Sequence, residues 1–202
     1  MISLPQHRLD ALLSRHAMVE RELGSGLGTD EYVKLSREFS DLGPVIEAIK
    51  TYRATGAEIA DLDAMIGAIV NDLAPELIAR NSIGHTGAAQ LLLTAGDNPE
   101  RLRSEGSFAA LCGVSPVPAS SGKTIRHRLN RGGDRAANSA LHIIAIGRLR
   151  TDPVTKTYVA KRIAEGHSKL DAIRALKRYI AREVFHIITR RHKQINQSRI
   201  AA

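Results

Sequence analysis

The sequence predicts an all-α fold, and its composition is the first reason for this prediction. Aromatic residues make up only 3% of the 202 residues and tryptophan is absent, so leucine, isoleucine, valine and alanine must form the core. Such a core favours helices over a β-sandwich or a barrel. With 43% apolar and 25% charged residues, the chain has a globular composition and is long enough for one domain or two small ones.

The first part of the chain is expected to form a helical hairpin or a small bundle. Apolar residues recur at helical spacing over residues 4–23, and Gly24 ends this pattern. Thr29 is a candidate N-cap for a second helix, which Pro44 is expected to break or kink. A third helical stretch is predicted over residues 57–73.

A compact helical domain is expected after this hairpin. Pro75 should open a short helix, and a turn at Gly84 should lead into another helix that residues 96–99 close. This layout resembles a helix-hairpin-helix, in which a glycine turn presents backbone N–H groups to a phosphate. Because Ser82 stands where that motif usually has its first glycine, an ordinary helix–helix turn is the alternative.

Local signals place four further helices along the chain. Residues 108–111 should lie on a short helix, and the Gly/Pro/Ser-rich residues 112–124 should form a loop. A helix is predicted over residues 136–150, and another should start with Pro153 at its first position. Residues 168–171 match a capping box for the last helix.

The last helix is expected to be amphipathic and basic. Its apolar stripe consists of Leu170, Ile173, Leu176, Ile180, Val184 and Ile187. A different face carries Arg174, Arg178 and Arg182 at intervals of four residues. Because the helix is poor in the aromatic residues that membrane-interface helices favour, we expect these arginines to bind nucleic acid. A solvated basic face is the alternative.

Charge divides the chain into an acidic and a basic part. Residues 1–80 contain 8 Lys/Arg and 13 Asp/Glu, a net charge of −5, whereas residues 81–202 contain 21 Lys/Arg and 8 Asp/Glu, a net charge of +13. A polyanion would therefore be attracted to the second part.

Several protein classes are excluded by what the sequence lacks. Its longest apolar runs, such as residues 143–146, are far shorter than the roughly 18 residues of a membrane span, and no signal peptide is recognised. We therefore expect a cytoplasmic protein without membrane contact. The single cysteine, Cys112, cannot form an internal disulfide, and the eight histidines lack zinc-site spacing, so no metal site is expected.

Five segments in the second part carry a resemblance to a known family. They are residues 88–92, 95–99, 108–114, 116–123 and 130–135. Over about residues 66–195 the chain resembles the C-terminal transposase domain of the insertion sequence 110 family, also called the Piv/MooV recombinases. The resemblance implies DNA binding and a part in DNA transposition or recombination, with DNA as the partner.

The same resemblance implies roles for particular residues. Family members join a RuvC-like domain with a metal-binding Asp/Glu cluster to this helical domain, which bears a nucleophilic serine, and many are guided by a structured RNA. Carried over by motif, the nucleophile is Ser121, with Ser120 as the open alternative. Read without the family, Ser121 is a turn residue. The cations available to stabilise a phosphorane are Lys123, Arg126, Arg128, Arg131 and Arg135.

The RuvC-like part of the family is not recognised in this sequence. We therefore expect no cofactor in this chain, because the divalent metal would come only with the missing domain. Strand transfer by the chain alone is not expected, so a full-length transposase or a second copy is a predicted partner.

Residues 4–65 instead resemble the N-terminal helical domain of bacterial peptide chain release factor 1. Residues 9–16, 32–39 and 42–45 carry this resemblance, but no Gly-Gly-Gln occurs, so peptidyl-tRNA hydrolysis is excluded. The sequence therefore predicts a fusion of a release-factor-like part, residues 1–66, with a transposase part, residues 67–202. The alternatives are a ribosome-associated helical module without hydrolase activity and a remnant without function.

Overall fold

The computed structural model describes residues 4–26, 28–96, 102–119, 127–128 and 130–200, with side chains as far as Arg190 except that of His127. These residues form eight helices: α1 (Gln6–Leu23), α2 (Thr29–Leu73), α3 (Pro75–Ile78), α4 (His85–Ala95), α5 (Glu105–Leu111), α6 (Arg135–Thr151), α7 (Pro153–Ala164) and α8 (Lys169–Ile200). Two short strands, β1 (Val117–Pro118) and β2 (His127–Arg128), form an antiparallel ribbon. The predicted all-α class is confirmed.

The chain divides into two units, Met1–Leu62 and Asp63–Ala202. In the first unit, Leu9 of α1 is buried together with Ile46 and Ile49 of α2. Arg15 of α1 donates two hydrogen bonds, of 2.6 and 2.7 Å, to the carboxylate of Glu38 on α2. These contacts form the predicted helical hairpin. The boundary predicted at residue 66 from the two resemblances stays a prediction.

The second helix of the hairpin is longer than the sequence predicted. Of the break or kink expected at Pro44, the break is wrong, because α2 continues through the proline. Residues 57–73 belong to α2 rather than to a third helix. Proline removes one backbone hydrogen bond from a helix. Pro44 is exposed while Ile46 and Ile49 just after it are buried, so apolar burial offsets that loss. Four apolar residues of the final stretch are about half exposed: Ile59, Leu62, Ile69 and Leu73.

One apolar core fills the second unit. Leu91 of α4, Phe108 of α5, Leu141 of α6 and Ile180 of α8 are fully buried in it. Helix α8 packs against α4, α5, α6 and α7, so it runs through the centre of this unit. Its predicted apolar stripe is buried, except that Leu170 in the first turn is 66% exposed.

Side-chain caps begin the last three helices. The carboxylates of Asp134 and Asp152 each accept hydrogen bonds from two backbone N–H groups at the starts of α6 and α7, and Pro153 follows as predicted. At the start of α8, the Ser168 hydroxyl accepts a hydrogen bond from the Asp171 N–H. The Asp171 carboxylate accepts the Ser168 hydroxyl at 2.6 Å, where a full capping box would have it accept the Ser168 N–H.

Candidate nucleic-acid interface

A basic cleft opens in the second unit between α5, α8, the α7–α8 turn and the base of the β1–β2 ribbon. Its volume is about 1080 Å³. The cationic side chains that line it are Arg128, Arg162, Arg174, Lys177, Arg178 and Arg182, and the carboxylates are Glu105 and Asp171. Because six cations face two carboxylates, the cleft concentrates positive potential and attracts anionic groups.

Helix α8 supplies the largest part of this positive charge. Arg174, Arg178 and Arg182 are exposed, whereas Ile173 and Ile180 of the same helix are buried in the core. Residues four apart lie on one helical face, so the three guanidinium groups line the same side of the cleft. The separate basic face predicted for this helix is confirmed.

Two of the three arginines of α8 are already paired with carboxylates. Arg174 donates to Asp171 at 2.8 Å, and Arg182 Nε lies 2.5 Å from Glu105 Oε2. No carboxylate oxygen of the described residues lies within 4.0 Å of the Arg178 guanidinium. Arg178 is therefore the most available of the three for an external anion.

The ribbon brings Arg128 to the same cleft. Val117 pairs with Arg128 and Pro118 with His127. Strand β1 lies in residues 112–124, for which the sequence predicted only a loop. Arg128 is exposed and lines the cleft. Because β1 and β2 pair, Pro118 and His127, which flank residues 119–126 in the sequence, lie next to each other.

A close backbone crossing fixes the base of this ribbon. Gly113 has a φ of +66°, and a Cβ atom on Gly133 would overlap the Gly113 backbone and lie 2.9 Å from the Ala110 carbonyl oxygen. The backbone N–H of Asp134 donates to the Leu111 carbonyl at 2.7 Å. The two glycines therefore allow the segments before β1 and after β2 to cross in contact.

A buried polar network ties this crossing to α8. The Asn138 amide donates to the carbonyl oxygens of Cys112 and Gly113 at 3.1 and 3.0 Å. Its oxygen accepts a 2.7 Å hydrogen bond from the Lys177 ammonium. Lys177 is only 7% exposed, and this burial, together with the nearby Arg174, holds the pKa of Lys177 below its ordinary value. The sequence assigned no role to either polar side chain.

One aromatic ring also lines the cleft. Tyr179 is 56% exposed, and its ring meets that of Tyr158 edge to face at a centroid distance of 5.6 Å. With only 3% aromatic residues, the sequence taken alone predicts little base stacking. The sequence signal that could have identified this ring as part of the site is the position of Tyr179 directly after Arg178.

The base of the ribbon lies in a part of the chain that matches a known family. Residues 76–160 match the family model described as Transposase IS116/IS110/IS902 family. This transposase-like range runs from α3 into α7 and includes Gly113, Arg128 and Gly133, whereas α8 with its arginines follows it. The match indicates a function related to transposition and an interaction with DNA, and it confirms the predicted resemblance over this range. The resemblance of residues 4–65 to release factor 1 stays a prediction.

Not all predicted site residues meet at the cleft. Within the transposase-like range, Gly84, Arg131 and Arg135 do not line it, although all three are exposed. Of the described residues among the cations proposed for the phosphorane, Arg128 lines the cleft, and Arg131 and Arg135 do not. Four further predicted residues lie outside the described part of the chain: Ser120, Ser121, Lys123 and Arg126.

The turn at Gly84 has an acidic neighbour. Gly84 is the N-cap of α4, which buries Ala88, Leu91 and Ala95 in the core. Ser82, two residues before Gly84, adopts a φ of +63°. Thr86 in the first turn donates to Asp63 at 3.2 Å, and His85 Nδ1 lies 3.5 Å from the same carboxylate. A phosphate at this helix start would be repelled by Asp63. The geometry favours the ordinary helix–helix turn over the phosphate clamp.

The described ranges offer little for metal binding, membrane insertion or thiol chemistry. There, no group of three or more histidine, cysteine, aspartate or glutamate side chains is arranged to hold a metal ion. None of the helices described combines the length and apolar character needed to cross a bilayer. Burial raises the pKa of the Cys112 thiol to about 12, so this thiol is protonated at neutral pH and unsuited to nucleophilic attack.

Proposed function

We propose that this chain binds DNA in the basic cleft and serves transposition as the helical part of a serine-dependent recombinase. The observation that carries the proposal is the meeting of Arg128 from the transposase-like range with Arg174, Arg178 and Arg182 from α8 in one cleft. Guanidinium groups pair with phosphate oxygens in a bidentate way and release condensed counterions when they do so. The cleft therefore suits the phosphate backbone of a DNA strand.

The contacts proposed for this cleft position a strand rather than read its sequence. Phosphate contacts set register and orientation, whereas base-edge contacts supply specificity. We therefore expect binding that depends strongly on salt and weakly on sequence. Sequence choice would come from another part of the transposition machinery, such as a full-length transposase or a structured guide RNA.

Fluorescence anisotropy with the full chain tests this proposal. Labelled duplex DNA and structured RNA are each titrated across a salt series, with two triple variants of equal charge change. The cleft variant replaces Arg174, Arg178 and Arg182 by alanine. The control variant replaces Arg150, Lys156 and Lys161, which are exposed and do not line the cleft.

The two variants should differ in their salt dependence. Each arginine that no longer binds a phosphate should lower the slope of log affinity against log salt by about one, so the slope of the cleft variant should fall by up to about three. Equal slopes in both variants would contradict binding in the cleft. Clear preference for structured RNA over DNA would contradict DNA as the ligand of the cleft.

We also propose Ser121 as the nucleophile, with Ser120 as the neighbour to be distinguished from it. The serine oxygen would attack the phosphorus of a DNA phosphodiester, one phosphorus–oxygen bond of the strand would break, and the departing DNA oxygen would take the proton that the hydroxyl gives up. The adjacent strand ends of the ribbon, and the place of Arg128 in the cleft, support this assignment. Lys123, Arg126, Arg131 and Arg135 are further candidate cations for the phosphorane.

The metal expected in this family belongs to the RuvC-like domain. Among the described residues, no group of three or more histidine, cysteine, aspartate or glutamate side chains could hold a metal ion. The proposed step assigns roles only to the serine and the cations of this chain. A full-length partner would supply the metal and position the scissile phosphate.

The nucleophile is tested by trapping a covalent protein–DNA adduct on a denaturing gel. The full chain is incubated with DNA and a full-length family transposase whose own serine has been replaced by alanine. An adduct of this chain should form and should disappear in Ser121→Ala. Disappearance only in Ser120→Ala would assign the neighbour, and an adduct that survives in the double variant would refute both.

A further inference from the structure

We propose that Lys177 and Arg174 form a binding site for one phosphate group within the basic cleft. Lys177 is almost entirely buried yet lines the cleft, and Arg174 lies one helical turn before it on α8. The proposal deepens the proposed function and rests on it in one respect, namely that the phosphate belongs to a nucleic acid backbone. The site itself can be tested without nucleic acid.

The positive charge of Lys177 has no counter-ion among the described residues. An ammonium group has three N–H donors, and the described hydrogen bond of this one goes to the neutral amide oxygen of Asn138. Within the described part of the chain, no carboxylate oxygen lies within 4.0 Å of Lys177 Nζ. A buried charge without a counter-ion is costly. An anion bound at Lys177 would remove this cost.

The Asn138 side chain positions the ammonium group of Lys177. Both donor sites of the Asn138 amide are directed at carbonyl oxygens, those of Cys112 and Gly113, which leaves its oxygen for Lys177. The network therefore holds Lys177 Nζ in place before any ligand binds. Prior ordering of this kind lowers the entropic cost of binding.

Two cations, Lys177 and Arg174, determine which ligand the site would bind. A second cation, Arg174, stands close enough to lower the pKa of Lys177, so the two positive charges repel each other until an anion lies between them. The described hydrogen bond of Arg174 runs from Nη1 to Asp171 Oδ1, and a guanidinium group has four further N–H donors. Lysine binds phosphate as a point charge and arginine as a fork, so the pair suits a tetrahedral oxyanion.

Thermal unfolding of the full chain in inorganic phosphate tests the site. Phosphate is titrated against chloride at equal ionic strength, with Lys177→Met as the test variant and Lys156→Met as the control. Lys156 is exposed on α7 and does not line the cleft, so it carries the same charge change elsewhere. A ligand that binds only the folded state raises Tm as its concentration rises.

The wild-type protein and Lys156→Met should show a phosphate-dependent rise in Tm, and Lys177→Met should show phosphate affinity lower by about tenfold or more, as expected when a charge-assisted hydrogen bond is removed. The rise is compared within each protein, so a change in basal stability does not matter. If Lys177→Met does not fold, Lys177→Gln can still donate to Asn138 and lacks the charge. No rise in the wild type, or an equal rise in the Lys177 variants, would overturn the site.

A second arm decides whether the phosphate belongs to nucleic acid. The affinity of a labelled DNA strand is measured for the same three proteins at one salt concentration. An affinity about tenfold weaker in Lys177→Met, but not in Lys156→Met, assigns the site to the DNA backbone. Equal DNA affinities with intact phosphate protection would overturn that assignment, while failure of the cleft triple variant to weaken DNA binding would refute the proposed function separately.

Discussion

Gly133 lies against Gly113 so closely that a Cβ atom on Gly133 would overlap both the nitrogen and the Cα of Gly113. The contact joins the segment before β1 to the segment after β2. From the sequence alone, we interpret the Arg-Gly-Gly-Asp-Arg segment, residues 131–135, as a source of cations for DNA. The structure gives its second glycine and its aspartate a structural task instead, since Asp134 caps α6.

Substitution of Gly133 should therefore destabilise the protein. In Gly133→Ala, the backbone of Gly113 must move, and overpacking of this kind costs about 1–3 kcal/mol in free energy of unfolding. Gly132→Ala is the matched control, because a Cβ there would meet its nearest atom, Asn130 Oδ1, at an ordinary 3.5 Å. Urea unfolding of the two variants measures the difference. Equal stabilities would show that the crossing relaxes without cost.

Neutralisation of a cleft carboxylate should strengthen DNA binding. Glu105 contacts the guanidinium of Arg182, and Glu105→Gln would release that cation for phosphate. Exposed ion pairs of this kind contribute up to about 1 kcal/mol, so we expect a gain in affinity of about two- to fivefold, measured by anisotropy. The gain should be smaller in an Arg182→Ala background. An unchanged or reduced affinity for Glu105→Gln would argue that Arg182 does not contact DNA.

Helix starts could be predicted from the sequence because their causes are local. Asp152 followed by Pro153, and Ser168 before Asp171, place the starts of α7 and α8 within one residue of those observed. The break expected at Pro44 failed because the continuity of α2 depends on packing against α1, which no local pattern reports. The two strands were not predicted, because each has only two residues, which is too few to show the alternation of a strand.

The candidate site could be predicted in part. The arginine face of α8 follows from a spacing of four residues, so Arg174 and Arg178 were found. Lys177 was not, because its burial and its contact with Asn138, 39 residues away in sequence, arise only when α6 and α8 pack together. The entry of Arg128 into the same cleft likewise depends on the Gly113 crossing, whose two segments are distant in sequence.

The stability of the protein should fall in acid partly through Asp134. The Thr94 hydroxyl, and then two backbone N–H groups, hold the pKa of Asp134 below its ordinary value. A carboxyl group with a lowered folded-state pKa stabilises the fold above its unfolded pKa of about 3.9, and this contribution disappears as the pH falls through the folded-state value.

Asp134→Asn tests this dependence, because asparagine still caps a helix but carries no charge. The difference in free energy of unfolding between wild type and Asp134→Asn should be largest near neutral pH and should shrink as the pH falls below about 4, where the unfolded-state carboxyl group protonates. Thr94→Val removes the strongest cause of the lowered pKa and should weaken the acid dependence as well. A difference that stays constant with pH would contradict the assignment.

Tyr179 should make the cleft prefer single-stranded over duplex DNA. Its exposed ring packs edge to face with the ring of Tyr158, and Tyr179 directly follows Arg178 on α8. Because this contact already orders the ring, an unpaired base can stack on it without a large loss of side-chain freedom. Stacking on an aromatic side chain contributes about 1–3 kcal/mol per base. Tyr179→Ala should therefore lower affinity for a single strand by about fivefold or more and affinity for duplex by less, because duplex bases are already stacked.

Tyr179→Phe should keep the wild-type preference, and Tyr52→Ala, on α2 and outside the cleft, should change neither affinity. Equal losses on both substrates in Tyr179→Ala would mean that the ring supports the arginines of α8 rather than a base.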